Sequence, residues 1–575
     1  MAFMGMLPSV SSSKIKQDLQ TAFRGYYNHP AAAGDMFVDE RNMSSDEYPI
    51  LTQRKTRRVI RTFEKATGAC GGDVMVWFDG VSLYVDGKKV CELAPGEKTI
   101  LRMAAYVVVW PDKVMYNTYT GELTNIEQHK TVTGAEVRPC MLSGQEYEYV
   151  ASDTEPESKA NGTYWLNTQT NGFYQYLGGE WQGIDTVYTR IEATGLGDEI
   201  AEYDVVNLSG FSVDKLNIEG ATVYARGDHY IVIATGEILN YTEQGETHLD
   251  RNAPDMDFMV ESGNRLFGCS NKTHEIYACK LGDPTNWYSY LGISTDSYAA
   301  TVGSNGDFTG ACKYLGYPLF MKENCIHRIY GTRPANFQIV ELPVRGVQAG
   351  CAKSICIVRE MLYYMARGGM VAFDGSTVSD VGAALGQAEL TEVICGAHKQ
   401  KLYVSALADG EERLFVLDTL QGLWHLEDET RAEFFVNTPE GDFFITNNKL
   451  IAIDGVHSKY EDGTAADEES FTWNAVTGDI LMEKPNRQWL KRLMLRVSME
   501  RGAEMSVDVM FDSSGKWERV ATAQSQLKRA ISLPLRMRRC DHFALRFSGQ
   551  GAVRIYDLSK MYELGSEREC STFRA

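Results

Sequence analysis

The sequence predicts an all-β protein built mainly as a β-propeller, and three observations carry this prediction. Short runs rich in β-branched and aromatic residues alternate with Asp-Gly, Asn-Gly and other turns that need a positive φ angle. The chain holds 52 glycines but only 15 prolines, which suits many short strands joined by tight turns. In the middle of the chain the runs recur about every 40–50 residues, which is the spacing of propeller blades.

Five segments define this repeat. Arg265, Pro318, Met361, Lys401 and Asp442 stand at equivalent points, and the intervals between them are 53, 43, 40 and 41 residues. Each unit is a small antiparallel sheet that cannot bury both of its faces alone, so we expect the sheets to stack around a common axis. Hairpin signals before residue 125 belong to the same array, and the predicted number of blades is six or seven.

Two stretches interrupt the repeat and divide the chain into five predicted parts. Residues 125–220 are polar and are interpreted as an inserted small β domain. Residues 466–575 include Trp489–Val520, in which apolar and polar positions alternate, and they predict a C-terminal β-sandwich of jelly-roll type. The other parts are an N-terminal arm with a leading strand (1–60), the first part of the propeller (61–124) and its remaining blades (221–465).

The charge and the leader restrict the possible functions. The net charge of −20 and the isoelectric point of about 5.1 disfavour non-specific DNA binding over the whole surface. They do not exclude a channel through which DNA passes without sticking. The longest apolar run, Ala104–Trp110, is too short to cross a bilayer, which takes about 20 residues. The N-terminal residues lack the plan of a secretory signal, so a reducing cytoplasm is the expected site of synthesis.

No pattern in the sequence indicates catalysis, a metal or a cofactor, and the chain is predicted not to be an enzyme. Nucleophile-elbow, phosphate-loop and His-Glu-x-x-His motifs are missing. The 12 cysteines form no Cys-x-x-Cys pair, so they are expected to be small buried residues. Asp283, Asp296 and Asp307 could supply a glycosidase pair, but turn formation is the favoured interpretation. His327 and His425 are expected in the core.

A basic cluster near the N-terminus is the first candidate site, and it consists of Arg54, Lys55, Arg57, Arg58 and Arg61. One interpretation is a solvated arm or an internal set of ion pairs. The other is contact with an acidic partner subunit or with DNA. Upstream of the cluster, the sequence predicts one short helix over Ser11–Phe23.

Aromatic residues in the predicted insertion are the second candidate site. The segment Tyr164–Gly183 contains Trp165 and Trp181 among amide side chains, and such rings could stack on sugars. They could equally form the apolar faces of strands.

Four groups of residues form a specific pattern in the middle of the chain. They are Asn264–Gly268, Leu281–Pro284 with Trp287, Met321–Asn324 with Ile329–Gly331, and Tyr363–Tyr364 with Gly368, Asp374 and Gly375. Together these motifs resemble a family of tailed-phage structural proteins, called packaged-DNA stabilization proteins or tail nozzle proteins. The leader Phe37–Arg54 is also similar, and the match covers about residues 35–455. Met321 stands where the family often has an aromatic residue, and Cys279 stands where a serine is expected.

The resemblance implies a virion protein that forms a ring, often of six copies, below the portal and adaptor. Its partners would be its own copies, the portal or adaptor and other tail proteins. Genomic DNA would pass through the lumen without sequence-specific binding, and assembly would take place in the cytoplasm of the host bacterium. Two alternatives remain open: a tail-tip or host-surface glycan-binding module, and a polysaccharide-degrading propeller enzyme.

Overall fold

A computed structural model describes residues 15–563 except 186, 483–486, 526 and 537. Its regular structure is all β: among the described residues the only helical elements are four 3-10 turns. The all-β prediction is therefore confirmed. The chain divides into two compact units, which are residues 98–343 (unit 2) and the rest of the chain on both sides of that segment (unit 1). The 3-10 turns are Asp214–Leu216, Pro334–Asn336, Ala352–Ser354 and Ala383–Leu385.

Six sheets of four strands share one design, in which neighbouring strands follow each other in the chain and run antiparallel, and a seventh sheet keeps this order in its first three strands. Unit 2 contains sheets 2, 3 and 4, and unit 1 contains sheets 1, 5, 6 and 7. Sheet 1 is Ala66–Cys70, Val76–Asp79, Ser82–Val85 and Lys88–Glu92; sheet 2 is Thr99–Met103, Tyr106–Trp110, Val114–Asn117 and Leu123–Asn125. Sheet 3 is Phe258–Glu261, Leu266–Ser270, Glu275–Ala278 and Tyr298–Thr301; sheet 4 is Phe308–Tyr314, Tyr317–Lys322, Ile326–Tyr330 and Gln338–Leu342.

Sheets 5 to 7 continue the series in unit 1. Sheet 5 is Cys356–Val358, Met361–Ala366, Gly369–Phe373 and Val378–Asp380; sheet 6 is Leu390–His398, Lys401–Ala408, Glu411–Asp418 and Leu423–Asp428. Sheet 7 is Phe434–Thr438, Gly441–Thr446, Lys449–Ala452 and Arg58–Thr62, with the short strand Ala466–Asp467 beside the last. Each of the five equivalent points predicted from the sequence lies within one residue of the start of the second strand of sheets 3–7. The predicted repeat is thus confirmed.

Sheet 7 takes its last strand from the N-terminal part of the chain. Arg58–Thr62 pairs antiparallel with Lys449–Ala452, almost 400 residues later in the sequence. The side chain of Ile60 is fully buried in a cluster with Phe443 and with Trp77 of sheet 1. This strand therefore joins distant parts of the chain into one sheet.

Within each unit, consecutive sheets touch through their first strands. In unit 1 the first strands of sheets 5, 6, 7 and 1 meet in that order, and in unit 2 those of sheets 2, 3 and 4 do. Apolar side chains fill the space between adjacent sheets, as Phe267 of sheet 3 and Phe320 of sheet 4 do in one buried cluster. The burial of these faces against each other is the main stabilising contribution that such small sheets can obtain.

The inserted region runs from Gln128 to Arg251 and lies between sheets 2 and 3, so it extends past the expected end at residue 220. Its end is set by pairing, because Glu246–Arg251 is antiparallel to Gln128–Thr133. Two of its sheets share a buried core that includes Val137, Ile191 and Leu249. Its strands are Gln128–Thr133, Glu246–Arg251, Val205–Ser209 and Ala221–Thr222; then Ala225–Gly227, Tyr230–Ala234, Tyr188–Glu192, Glu136–Cys140 and Tyr241–Thr242; and a small sheet of Tyr149–Ser152, Tyr164–Asn167, Gly172–Leu177 and Glu180–Gly183.

The C-terminal region forms a sandwich of two antiparallel sheets around one core, which contains Leu495 from one sheet and Phe547 from the other. The finer jelly-roll assignment stays a prediction. Sheet A is Met43–Ser44, Leu51–Gln53, Val553–Glu563, Gln488–Met499 and Arg529–Leu533, with Ile15–Gln20 and Arg538–Cys540 on its edges. Sheet B is Phe37–Arg41, Thr472–Thr477, His542–Gln550, Glu504–Phe511 and Glu518–Gln524, with Ile480–Leu481.

The N-terminal residues assigned to a separate arm belong to these two sheets. Phe37 is fully buried in the sandwich core, and Phe37–Arg41 pairs with Thr472–Thr477. The predicted helix over Ser11–Phe23 is wrong in its described part, since Ile15–Gln20 is a strand paired with Leu558–Glu563. A short helix is marginal by itself, so backbone pairing with an available sheet edge outweighs the local preference. Residues 11–14 lie outside the described part of the chain.

Seven of the 11 described cysteines are buried, as predicted, and the other four are half-buried. Burial raises the pKa of the Cys140 and Cys540 thiols to about 12, which keeps them protonated. The described residues include no helix with the length and apolar character that crossing a membrane requires.

Gly455→Val is expected to destabilise unit 1 by about 1–3 kcal/mol, because φ at Gly455 is +71° and an added Cβ would lie 2.8 Å from the carbonyl oxygen of Thr56. The measurement is the free energy of unfolding from denaturant titration. Gly463→Val is the matched control, since no atom lies within 4 Å of its Cβ position. Equal stability of the two variants would contradict the turn described here.

Candidate functional site

A cavity of about 460 Å³ with several charged lining residues lies in unit 1 where the strand Leu51–Gln53 meets the start of Val553–Glu563. Arg54 and Lys55 of the basic cluster follow Leu51–Gln53 directly and line this cavity. The contacts of the lining residues therefore show whether the cluster can bind a ligand here. Its charged lining residues are Asp46, Glu47, Arg54, Lys55, Asp454, Glu500 and Arg554.

Several of the charges around this cavity are held in ion pairs, in part with lysines outside its lining. Arg554 donates two hydrogen bonds of 2.6 Å to the carboxylate of Glu47. Asp46 accepts from the buried ammonium of Lys401 at 2.6 Å, and Asp454 accepts from Lys399 at 2.9 Å. Neutralised pairs of this kind hold segments together and offer little free charge to a ligand.

Arg54 and Arg57 lie at the centre of a buried ion-pair network. Arg54 binds both carboxylate oxygens of Glu468, at 2.7 and 2.8 Å, and its guanidinium lies 4.0 Å from the centre of the Phe471 ring. Arg57 donates to Glu427 at 2.6 Å and to Asp428 at 2.8 Å. Both arginines are over nine-tenths buried, at 6% exposure. Neither guanidinium is therefore available to a partner subunit or to DNA.

The other three members of the cluster are less deeply placed. Arg58 pairs with Glu461 at 2.9 Å and with Asp467 at 2.6 Å. Arg61 lies 3.7 Å from Asp462 and over the ring of Trp77. Lys55 is exposed. For the four arginines the geometry matches the interpretation as an internal set of ion pairs, and it leaves Lys55 as the member that solvent reaches.

Sequence reasoning did not find the acidic partners of these arginines. Glu427, Asp428, Glu461 and Glu468 are separated from them by 370 to 414 residues. The pairing of residues 58–62 with residues 449–452 brings the arginines near these carboxylates, and the sequence alone did not predict that pairing. The sequence therefore indicated a cluster of positive charge, but its partners became visible only in the fold.

The network changes the proton affinity of its carboxylates. Burial works to raise the pKa of Asp428, but the charges of Arg57 and Arg54 and hydrogen bonds to Thr430 hold it below its usual range. Burial likewise works to raise the pKa of Glu468, but the hydrogen bonds and the charge of Arg54 lower it below its usual range. A hydrogen bond from Arg58 lowers the pKa of Glu461 to about 2. These groups stay ionised well into acid.

Trp165 and Trp181 lie together on one face of the small sheet in the insertion, with ring centres 5.4 Å apart. Trp165 is only 8% exposed, and its indole N–H donates to the carbonyl of Ser152. Trp181 is half-buried, and its N–H donates to Glu155 at 2.9 Å. Trp165 therefore serves mainly as packing, and Trp181 is the one of the pair with an accessible ring.

The aspartates considered for catalysis serve turns. Asp283 accepts hydrogen bonds from the N–H and the hydroxyl of Thr285, at 3.0 and 2.6 Å. Asp296 accepts from the backbone of Gly292 and Ile293. Asp307 is exposed. His327 and His425 are buried, as expected, and hydrogen-bond to Ser304 and Glu40 respectively.

Two of the motifs that carry the family resemblance, Asn264–Gly268 and Leu281–Pro284 with Trp287, meet at one loop in unit 2. Arg265 is 2% exposed, and its guanidinium donates to the carbonyl oxygens of Cys279, Ser294 and Asp296. It thereby fixes both ends of the loop that contains Leu281–Pro284 and Trp287. The buried Trp287 closes the loop by donating to the carbonyl of Pro284 at 2.8 Å. A motif of this kind explains local structure and contains no reactive group.

Three residues of the sandwich approach the arrangement of metal ligands. Atoms of Asp512, Asp541 and His542 lie within 4.8 Å of one another. Protein partners already engage them, because Asp512 accepts from the backbone of Asp541 at 3.0 Å and His542 bonds to Asp541 and to the hydroxyl of Ser513. These contacts account for the group without an ion.

No family model and no curated protein matches the chain. Among solved structures, similarity is found to an exo-β-1,3-galactanase from Phanerochaete chrysosporium, with 9% identity, TM-score 0.20, and coverage of 52% of this chain and 92% of that one. PorZ, a surface component of the type-IX secretion system of Porphyromonas gingivalis, is 8% identical with a TM-score of 0.23, and the match covers 81% of this chain and 70% of PorZ. A glycoside hydrolase family 43 arabinoxylan arabinofuranohydrolase from Bacillus subtilis is 9% identical with a TM-score of 0.16, and the match covers 65% of this chain and 93% of that one. TM-scores this low do not establish a shared activity.

Arg57→Met is expected to lower the free energy of unfolding by about 3–5 kcal/mol, because it leaves the buried carboxylates of Glu427 and Asp428 without their cation. Denaturant titration measures the change. The control is Arg24→Met, whose half-exposed side chain pairs with Asp35 and should cost at most about 1 kcal/mol. Similar losses in the two variants would contradict a buried network.

Unit 1 is expected to lose stability as the pH falls from about 4 to about 2. The folded-state pKa of Glu461 is about 2, whereas an unfolded glutamate has a pKa of about 4.3. The carboxylate is therefore protonated at a lower pH in the folded state than in the unfolded state. This contribution is complete above the unfolded pKa and disappears as the pH falls through the folded one. Arg58→Met should make the decline of the unfolding midpoint shallower over this window, and Arg24→Met should leave it unchanged. Parallel curves for wild type and Arg58→Met would contradict the assignment.

Proposed function

We propose that this protein is a structural component of a tailed-bacteriophage virion, a ring subunit that extends the DNA channel below the portal and adaptor and helps to retain the packaged genome. The observation that carries the proposal is the resemblance of residues 264–375 to the nozzle family, together with the place of those residues in the molecule. Arg265 and Trp287 serve to fix a loop, as a family motif with a structural role requires.

We further propose that sheets 1 to 7 are the blades of a β-propeller. Their antiparallel order, the contacts through first strands within each unit, and the completion of sheet 7 by a strand from the other end of the repeat region support this arrangement. A propeller is a rigid architecture, which suits packing side by side in a ring.

The charge of the chain is compatible with a DNA channel. A net charge of −20 repels phosphates, so DNA could move along an acidic lumen without being held. The arginines considered as DNA contacts, Arg54, Arg57 and Arg58, form ion pairs inside unit 1. Their partners are Glu427, Asp428, Glu461 and Glu468.

The two alternatives have weaker support among the described residues. Several of the charges that line the cavity in unit 1 are held in ion pairs, and Asp283 and Asp296 accept backbone hydrogen bonds, so the contacts of these groups are structural ones. A glycan platform would rest on Trp181, since Trp165 is packed.

The location in the virion tests the proposal. Particles of the phage that encodes this chain, purified on a density gradient, should contain the protein, and gold-labelled antibody should mark the junction of head and tail. Mass photometry of the full chain, alone and with the portal and adaptor proteins, should show multiples of 64.3 kDa on the adaptor. Absence from purified particles, or label confined to fibre tips, would contradict it. Turnover of capsule or wall polymers by the monomer would favour the enzyme instead.

A further inference from the structure

Charge is divided unevenly along this acidic chain. Residues 470–563, which make up most of the sandwich, contain 16 lysines and arginines against 10 aspartates and glutamates, a net charge of +6. Residues 128–251, the insertion, contain 7 against 20, a net charge of −13. A chain with an overall charge of −20 therefore contains one region of each sign. Such an asymmetry favours the contact of opposite regions when copies meet.

The basic region presents a well-defined surface, the outer face of sheet A. Strand register places Ile15, Glu563, Trp489 and Arg539 in one row across this face, because each is paired with the next. The rows beside it contain Leu19, Met494 and Arg496. The alternate residues of the same strand, Leu493, Leu495 and Val497 among them, point into the sandwich core. We call Ile15, Leu19, Trp489, Arg492, Arg496 and Arg539 the outer sandwich face.

The outer sandwich face has the composition of a protein interface. Ile15 is 58% exposed, Leu19 54% and Trp489 37%, which are large values for apolar side chains. Arg539 lies 5.4 Å from the Trp489 ring, and Arg492 is held by a hydrogen bond to Ser532. Trp, Met and Arg are enriched in interfaces, and exposed apolar side chains grouped on one face mark contact surfaces.

The acidic region supplies a matching surface. Its densest stretch, residues 146–157, contains the carboxylates Glu146, Glu148, Asp153, Glu155 and Glu157, and all five residues are exposed. Lys159, just after this stretch, is the nearest cation in the sequence and pairs with Glu155. The stretch lies beside the small aromatic sheet, so apolar and acidic groups are adjacent there.

We propose that the outer sandwich face of one copy binds the acidic insertion of a second copy of this chain. Charge complementarity selects this occupant, with +6 on one region and −13 on the other. DNA would satisfy the arginines but would leave Ile15, Leu19 and Trp489 against phosphates, whereas a protein surface can cover both. The contact joins two different surfaces, so it is head-to-tail and closes into a ring when the rotation per copy permits. The proposal rests on the proposed function only in requiring that copies of the chain assemble.

The direct test uses the full chain in two isotopic forms. Copies labelled with ¹⁴N and ¹⁵N are mixed at micromolar concentration in low salt and treated with a carbodiimide, which joins amines to carboxylates in contact. We expect mixed-isotope cross-links from Lys491 or Lys528, near the outer sandwich face, to carboxylates of residues 128–251. Mixed-isotope links that join other surfaces, or none at all, would overturn the inference.

Charge reversal provides an independent test by sedimentation velocity. The triple variant Arg492→Glu, Arg496→Glu, Arg539→Glu should weaken self-association by about tenfold or more, since like charges then face each other. The control Lys88→Glu, Lys89→Glu, Arg333→Glu changes the net charge equally at exposed positions elsewhere and should keep the affinity. Equal weakening in both variants would overturn the inference. Melting curves establish that each variant is folded.

A charge swap separates this contact from a loss of structure. Copies with Glu148→Lys, Asp153→Lys and Glu157→Lys should not associate with themselves, but they should bind copies with the reversed face. Failure of this mixed pair would overturn the proposed contact. Virion labelling is a separate readout, so a labelled head–tail junction together with a failed swap would leave the ring proposal intact and place its interface elsewhere.

Discussion

The structure of unit 1 depends on one constraint, which is that residues 37–62 belong to two bodies at once. Phe37–Arg41 and Leu51–Gln53 complete the two sheets of the sandwich, and Arg58–Thr62 closes sheet 7. Between them, Arg54 and Arg57 bind carboxylates from the end of sheet 6 and from the residues leading to the sandwich. Because buried ions need partners, this segment can lie in only one place. A loss of the arginines would therefore affect both bodies together.

This use of charge also decides what the region can do. A buried arginine with two carboxylates is strongly solvated by protein and gains nothing from an external phosphate. Arg54 also lines the neighbouring cavity, where its guanidinium is already bound to Glu468. The two arginines therefore serve to hold this segment in place.

The sequence revealed periodic features and missed long-range ones. The turn glycines and the five equivalent points predicted sheets 3–7, because each blade-like unit is local in the chain. The N-terminal strands could not be found in this way, since their partners lie hundreds of residues away and Ile15–Gln20 reads as a helix by itself. The arginine cluster was visible as charge, but burial and partners decided between its two interpretations. Trp165 and Trp181 looked alike in sequence, and the sheet register places both on one face, so only their different burial shows that Trp165 is packed.

The exposed charge is therefore the informative one. Arg54 and Arg57 are buried with their partners, whereas the arginines of the outer sandwich face and the carboxylates at residues 146–157 are exposed, although Arg496 also pairs with Asp557 at 3.1 Å and Glu155 with Lys159. Exposed charges of one sign steer association and contribute specificity, while the apolar side chains among them contribute affinity by excluding water. A subunit that presents one basic and one acidic surface can assemble head to tail, since the basic surface of one copy can bind the acidic surface of the next. Under the proposed function, the acidic excess that would repel DNA would also orient neighbouring copies.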